Sequence, residues 1–398
     1  MSLGLRIFLP FAGGYLLSYL LRNFNAVVAP ELTRELGLSA ADLGLLTSAY
    51  LLAFAAFQLP LGVLMDRYGP RRVQSVLLLV TAAGCALFAL GTGITQLTVA
   101  RAAIGLGVSG CLMSSFTTFS RAFPTERLPS LNAAVMVAGG VGALAATTPL
   151  AWVMPMTGWR PLMLVLAALA AAAAFAVFRS PEKATHATGE TIGQQLKAVA
   201  AIMRSRVFWR YAPQAATAAG GFMAMQGLWA IPWLMVVDGQ SREAAAFHLL
   251  LLTGAMTASL LALALFIVPL RRRGVSPGAV LAVAMGTGVA AMLGIVLGLA
   301  PSHFLWCLVG GAFACSNLAY SQLAGRFPQA LAGRANTALN LAAFAGAFAI
   351  QWGYGAALDA LAARGWPPVE AHRAAFGALV ALQAAGYGWF LLGGRRAG

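Results

Sequence analysis

The sequence predicts an all-α membrane protein with twelve transmembrane helices in two six-helix halves, and three observations lead there. Of 398 residues, 60% are hydrophobic and 9% charged, whereas a soluble domain is roughly 45–50% apolar and about a quarter charged. The apolar residues fall in blocks of about 20 or more, the length needed to cross roughly 30 Å of hydrocarbon as helix. The Lys and Arg residues sit in the short gaps between those blocks rather than on one polar module.

The first span, 7–28, holds Arg22 and Asn23 and lacks a small-residue cleavage site before the next block. It therefore reads as a retained helix rather than a signal peptide. Spans 43–65, 73–93 and 96–120 follow, with "GVLMDRYGPRRV" (62–73) between the second and third and Arg101 near the start of the fourth. Spans 131–155 and 159–178 complete the first half. The stretch 179–207 is the one long hydrophilic connection. Its start, rich in Ser, Pro, Thr and Gly, reads as linker, and "IGQQLKAVAAIMRS" reads as an amphipathic helix on the inner membrane face. Spans 208–237, 244–270, 278–300, 303–325, 334–359 and 372–392 form the second half, with Pro232 expected to kink the seventh helix. Abundant Ala and Gly suit a bundle in which helix backbones approach closely. The expected domains are thus 1–178, a linker at 179–207, and 208–398.

Sidedness follows from the positive-inside rule. With the N-terminus inside, nineteen Lys and Arg fall in cytoplasmic segments and five (Arg34, Arg160, Arg242, Arg364 and Arg373) on the opposite side, leaving Arg22 and Arg101 within spans. Both termini are expected in the cytoplasm, and the expected location is a bacterial cytoplasmic (inner) membrane. The net charge of +15 is spread over these gaps, so no nucleic-acid partner is expected. Cys85, Cys111, Cys307 and Cys315 lie in apolar blocks without metal-ligand spacing, and no cofactor or metal is expected. The four histidines are scattered and there is no P-loop, so the pattern fits neither an enzyme nor a pump driven directly by ATP.

"MDRYGPRRV" after span 2 has a weak echo in "LRRRGVSPG" (270–278) after span 8, as expected of duplicated halves in a secondary transporter. The pattern G-x-L-x-D-R-x-G-x-R, filled by Gly62, Leu64, Asp66, Arg67, Gly69 and Arg71, resembles the signature loop of the major facilitator superfamily. "RAAIGLG" (Arg101, Gly105, Gly107) resembles the family's fourth-helix motif, and "TGWRPL" (157–162) its frequent G-W-R at the start of helix six. The resemblance implies a gating role for the loop: Asp66 bridging to arginines and to a helix N-terminus in one access state, where a helix dipole adds about 0.3–1 kcal/mol. The second-half copy has Arg271 near where an aspartate would stand, so the loop there keeps only its topogenic charge.

A charge at a helix centre costs about 2.5–3.5 kcal/mol on the insertion scale, and no Asp or Glu falls deep in any expected span to offset Arg22 and Arg101. Two cations without a midplane carboxylate suggest an electropositive cavity for an anionic solute. Packing against neighbouring polar groups is the structural alternative for Arg101, and snorkelling to the outer interface the alternative for Arg22. Spacing favours a cavity face. Tyr15, Tyr19 and Arg22 follow i, i+4, i+7 on helix 1, and Gln226, Trp229 and Trp233 follow i, i+3, i+7 on helix 7. Asn317 and Tyr320 share a face of helix 10, while Asn336 and Asn340 form a polar stripe one turn apart on helix 11, with Gln351 about four turns from Asn336. The resemblance implies that helices 1, 4, 7 and 10 line a central cavity. The expected substrate residues are Arg22, Tyr15, Tyr19, Arg101, Gln226, Trp229, Asn317, Tyr320 and Asn340. Trp159 and Trp389, at helix ends, read as interface anchors.

The expected function is secondary active or facilitative transport of a small organic anion by alternating access, as symporter or antiporter. The expected partners are that solute and the bilayer, with a coupling proton or ion left open and the chain acting as a monomer. One alternative is a proton-coupled efflux antiporter. Such antiporters resemble one another in the helix-5 pattern G-P-x-x-G-G, of which "GALAAT" (142–147) keeps only Gly142 in place. Another is a non-transporting receptor of the same fold.

Overall fold

The computed structural model describes residues 3–124, 127–181, 192–299 and 302–395, all of which are helix or short connection. Two compact units account for the chain. Unit 1 comprises Met1–Leu38 with Ala49–Gln194, and unit 2 comprises Ser39–Ser48 with Gln195–Gly398.

Unit 1 is built from α1 (Leu3–Leu36), most of α2 (Ala40–Tyr68), α3 (Pro70–Ala89), α4 (Ile94–Val108) running into α5 (Cys111–Ala122), α6 (Leu128–Ala145), α7 (Thr148–Thr157) and α8 (Trp159–Phe178). The break between α2 and α3 is local chemistry. Gly69 takes φ +83°, a backbone state open to glycine, and Pro70 starts α3 with its ring already in helical φ. α3 packs against α4 and α8, and α1 against α6 and α8. The junction of α1 with α6 is set by Gly142: a Cβ there would overlap the Leu16 carbonyl. Gly142 is therefore explained by helix packing, without an antiporter motif. Where the apolar faces meet, Phe24, Phe88 and Trp159 form an edge-to-face chain with ring centroids 6.5 and 5.6 Å apart. This corrects the anchor reading of Trp159. It is 3% exposed and its indole N–H donates to Glu35 at 2.6 Å, because it opens α8 directly over the end of α1.

Unit 2 holds α9 (Ile192–Met203), a span over Arg206–Val236, α13 (Arg242–Arg272), α14 (Pro277–Val296), α15 (Ser302–Ser316) with α16 (Leu318–Ala324), α17 (Gln329–Ala362) and α18 (Pro368–Arg395). α9 buries Val199 and Ile202, one helical turn apart, and leaves Lys197 exposed, as an amphipathic helix should. Part of the linker expected at 179–207, residues 182–191, lies outside the described residues. The span Arg206–Val236 runs as α10 (Arg206–Gln214), α11 (Gly220–Ala224) and α12 (Ala230–Val236), separated by π-helical turns at Ala215–Ala219 and Met225–Trp229. The second π turn ends three residues before Pro232, whose missing N–H already interrupts the helical ladder. In the same unit Asp359 of α17 accepts the backbone N–H of Ala40 at 3.2 Å and of Ala41 at 2.8 Å, while Asp42 accepts that of Ser39.

Among the described residues, ten helices are long and apolar enough to cross a membrane, and eleven if α6 and α7, bent by 47°, count as one. The remaining expected span, 7–28, falls within the 34-residue α1, which at about 1.5 Å per residue is long enough to cross.

Candidate functional site

The residues with chemistry in unit 1 gather around α1. Tyr15 and Tyr19 meet edge to face at 5.1 Å, and the Tyr15 hydroxyl reaches Met136 Sδ at 3.6 Å. Arg22, half-buried, lays its guanidinium 4.7 Å from the Tyr19 ring and 5.0 Å from Phe54. Each such cation–π contact is worth about 0.5–2 kcal/mol, more as water is excluded. Arg22 also bonds the Tyr50 hydroxyl, which donates in turn to the Ser18 carbonyl at 3.3 Å. Room for the tyrosine pair comes from α6: a Cβ on Gly139 would stand 2.5 Å from the Tyr15 ring and 3.1 Å from Tyr19.

Arg101 behaves differently. Wholly buried, it donates from Nη1 to the Leu21 carbonyl at 2.9 Å and sits 4.8 Å over the Tyr50 ring. Its Nε and Nη2 are buried without an acceptor among the described residues. Arg101 thus ties α4 to α1 behind Arg22, and Tyr50 stands between the two guanidiniums. The i, i+4, i+7 face of Tyr15, Tyr19 and Arg22 comes together as its spacing implies. Tyr50 and Phe54 did not emerge from the sequence. They are one turn apart on α2, but no local pattern says that this face of α2 meets α1.

In unit 2, Gln226 Nε2 donates to Thr253 Oγ1 at 3.1 Å. Trp229 donates from Nε1 to the Gln351 carbonyl at 3.0 Å and stacks, tilted, 4.8 Å from Tyr354. The Gln351 side chain is fully buried and both its amide atoms lack a partner among the described residues, which marks it as a further candidate contact for a polar solute. Tyr320 and Asn340, expected on separate helices, are joined by a 3.0 Å hydrogen bond. Asn317 is exposed where α15 gives way to α16, and its amide returns to the Ala314 carbonyl at 3.1 Å, apart from that pair.

The signature loop is held by different contacts at its two ends. Asp66 lies 3.8 Å from Arg121 in the last turn of α5, a half-exposed pair worth about 0–1 kcal/mol. Arg71 donates to the Phe178 carbonyl at 3.1 Å and to Ser180 at 3.4 Å, placing a cation on the C-terminal end of α8. Arg67 is exposed and lies 5.3 Å over Tyr68. At the other end of unit 1, Glu35 accepts from Trp159 and Arg160, and these donors, the indole first, hold its carboxyl below the usual range.

Fold and cluster together define a multi-pass helical membrane protein with a cationic, aromatic-lined site in its first unit. The chain belongs to the Major Facilitator Superfamily, a family of membrane transporters, whose family model matches residues 11–350. It is 26% identical over 213 residues to the hexuronate transporter of Escherichia coli (strain K12), covering 49% of each chain. A probable sulfoacetate transporter of Cupriavidus necator is 26% identical over 182 residues, covering 45% of this chain and 42% of the relative. A 4-hydroxybenzoate transporter of Pseudomonas aeruginosa is 32% identical over 161 residues, covering 40% and 36%. The chain thus spans half or less of the length of these curated relatives. The fold matches a bacterial homologue of the lysosomal transporter Spinster at TM-score 0.77 and 18% identity, covering 99% of this chain and 98% of that one. It also matches a D-xylose–proton symporter at TM-score 0.78 and 15% identity, covering 98% and 97%.

Proposed function

We propose that the chain is a secondary transporter that moves a small organic carboxylate or sulfonate across the cytoplasmic membrane by alternating access, as a monomer of two six-helix halves with both termini in the cytoplasm. The observation that carries this reading is the Tyr15–Tyr19–Arg22–Tyr50 nest. It holds a guanidinium with neutral aromatic partners in a span, and a second guanidinium, Arg101, lies behind it. No Asp or Glu occurs deep in the expected spans, so the nest keeps net positive charge. A guanidinium offers a carboxylate or sulfonate paired N–H donors in one plane. Hexuronate, sulfoacetate and 4-hydroxybenzoate, named for the relatives above, are all carboxylates near neutral pH. Tyr15 and Tyr19 add phenol hydroxyls and ring faces. Unit 2 has a neutral polar cluster of its own in Gln226, Trp229, Tyr320, Asn340 and Gln351, each a candidate solute contact, and the loop of Gly62, Asp66, Arg67, Gly69 and Arg71 gates access.

The test is uptake of radiolabelled organic anions into proteoliposomes containing the purified chain, alongside direct binding. Saturable flux of a carboxylate that exceeds flux of its neutral amide or alcohol analogue supports the reading. Binding without flux would identify a receptor, and preference for neutral or cationic solutes would exclude an anion transporter.

A further inference from the structure

One end of unit 2 carries far more positive charge than its own side chains neutralise. Segments 195–214, 268–280, 322–336 and 388–398 contain eleven Lys and Arg and not one Asp or Glu. Orientation in a membrane asks only that such charges be present; it does not ask them to converge. Here some of them do. A cavity of about 400 Å³ is walled by Arg210 of α10, Ser276 and Gly278 at the start of α14, and Gln322 and Arg326 at the end of α16. A neighbouring cavity of about 420 Å³ shares Ser276 and Gln322 and adds Arg271.

The chemistry of the walls is that of an anion site. The Arg210 guanidinium rests on the rings of Tyr211 at 5.6 Å and Phe390 at 5.5 Å, and its Nε is buried with no acceptor among the described residues. Aromatic backing of this kind holds a guanidinium in place without cancelling its charge. Arg326 is exposed and lines the cavity. α14, 20 residues long, opens on the cavity with its positive dipole end. Ser276 Oγ already takes the Ala279 N–H at 3.1 Å, whereas Gly278 precedes the helix's own hydrogen-bond ladder. A Cβ on Gly278 would lie 3.8 Å from Gln322 Oε1, so the Gln322 amide adjoins that first turn. Two guanidiniums, an amide and a helix N-terminus around one volume match the tetrahedral oxygens of a phosphate group.

We propose that the Arg210–Arg326 cavity of unit 2 binds a phosphate-bearing anion, held by the two guanidiniums, Gln322 and the first turn of α14. It shares no residue with the Arg22 nest of unit 1 and does not depend on the substrate reading. Its ligand is a phosphate monoester or diester, and two sources carry that chemistry: an anionic phospholipid headgroup, enriched in the leaflet facing the cytoplasm, and a soluble phosphate.

The experiment uses the full-length chain in detergent. Its thermal midpoint is followed while short-chain phosphatidylglycerol, short-chain phosphatidylcholine or inorganic phosphate is added, for wild type, Arg326→Gln, Gln322→Glu and the double variant Arg272→Gln/Arg273→Gln. Arg210 is left intact because it packs on two rings. The expected result is saturable stabilisation by phosphatidylglycerol over phosphatidylcholine. Its half-saturating concentration rises at least tenfold in Arg326→Gln, and stabilisation is lost in Gln322→Glu, where a carboxylate faces the ligand. The double variant, altered outside the cavity, should match wild type. If inorganic phosphate alone reproduces and competes with the effect, the site stands and its ligand is soluble. Equal stabilisation of wild type, Arg326→Gln and Gln322→Glu overturns the proposal. So does an equal loss in the double variant, which would assign the effect to diffuse surface charge.

Discussion

A guanidinium inside a span costs about 2.5–3.5 kcal/mol to insert, and Arg22 and Arg101 offset that cost in different ways. Arg101 is sealed, bonded to a helix carbonyl and covered by Tyr50. Arg22 is only half-buried and lies among phenol and phenyl faces, an arrangement that stabilises the cation while leaving it part of an accessible surface. The same scale supplies a pH prediction outside the spans. The donors from Trp159 and Arg160 lower the Glu35 carboxyl pKa, so the stability they confer is present above the unfolded carboxylate range, near pH 4.3. It is lost as pH falls through the lowered folded value. Because Glu35 is mostly solvated, Glu35→Gln should cost about 0.5–1 kcal/mol at pH 7. The difference from wild type should shrink toward zero in thermal melts below about pH 3. A constant difference across that range would show that the carboxylate charge is not what matters.

Elements carry the geometry that residues alone do not. Gly105 of α4 approaches α2 so closely that a Cβ would overlap the Tyr50 carbonyl, and Tyr50 is the ring between the two arginines. Gly105→Val should therefore destabilise unit 1 by about 1–3 kcal/mol and weaken the proposed anion binding together with it, since the displaced backbone carries Tyr50. A thermal melt and a binding titration on the same sample check this; unchanged binding would separate Tyr50 from the site. The motif containing Arg101, Gly105 and Gly107 was visible in the sequence, as were the helix blocks and the Tyr15–Tyr19–Arg22 face, because length, apolarity and i, i+4, i+7 spacing are local properties. Tyr50 and Phe54 were not assigned to the unit 1 cluster, nor Gln351 to that of unit 2, because contacts between helices distant in sequence leave no periodic signal within either helix. Trp159 was misassigned for the same reason: a helix-end tryptophan reads as an anchor until the end of α1 is seen to cover it. Asn317 was grouped with Tyr320 by helical spacing, but the change from α15 to α16 at that residue turns its amide back on its own backbone.

For the whole molecule, the proposed transport needs recognition and gating to be separable. Asp66 makes a half-exposed pair with Arg121, worth about 0–1 kcal/mol, which in the proposed gate would bias an equilibrium without locking it. Asp66→Asn should keep stability and anion affinity within about twofold while slowing initial uptake into proteoliposomes; a normal rate at normal protein abundance would remove Asp66 from the gate. The central claim is that Arg22 recognises the anion, and titration calorimetry of wild type, Arg22→Lys and Arg22→Ala tests it most directly, using a carboxylate identified by the flux screen and its neutral analogue. Lysine keeps the charge but not the paired planar donors, so Arg22→Lys should weaken carboxylate binding about tenfold or more. Arg22→Ala, losing about 1.5–3 kcal/mol for each charged hydrogen bond, should bring binding near the detection limit. The neutral analogue should bind weakly and equally to all three, and equal carboxylate affinity in the three folded proteins would contradict the account.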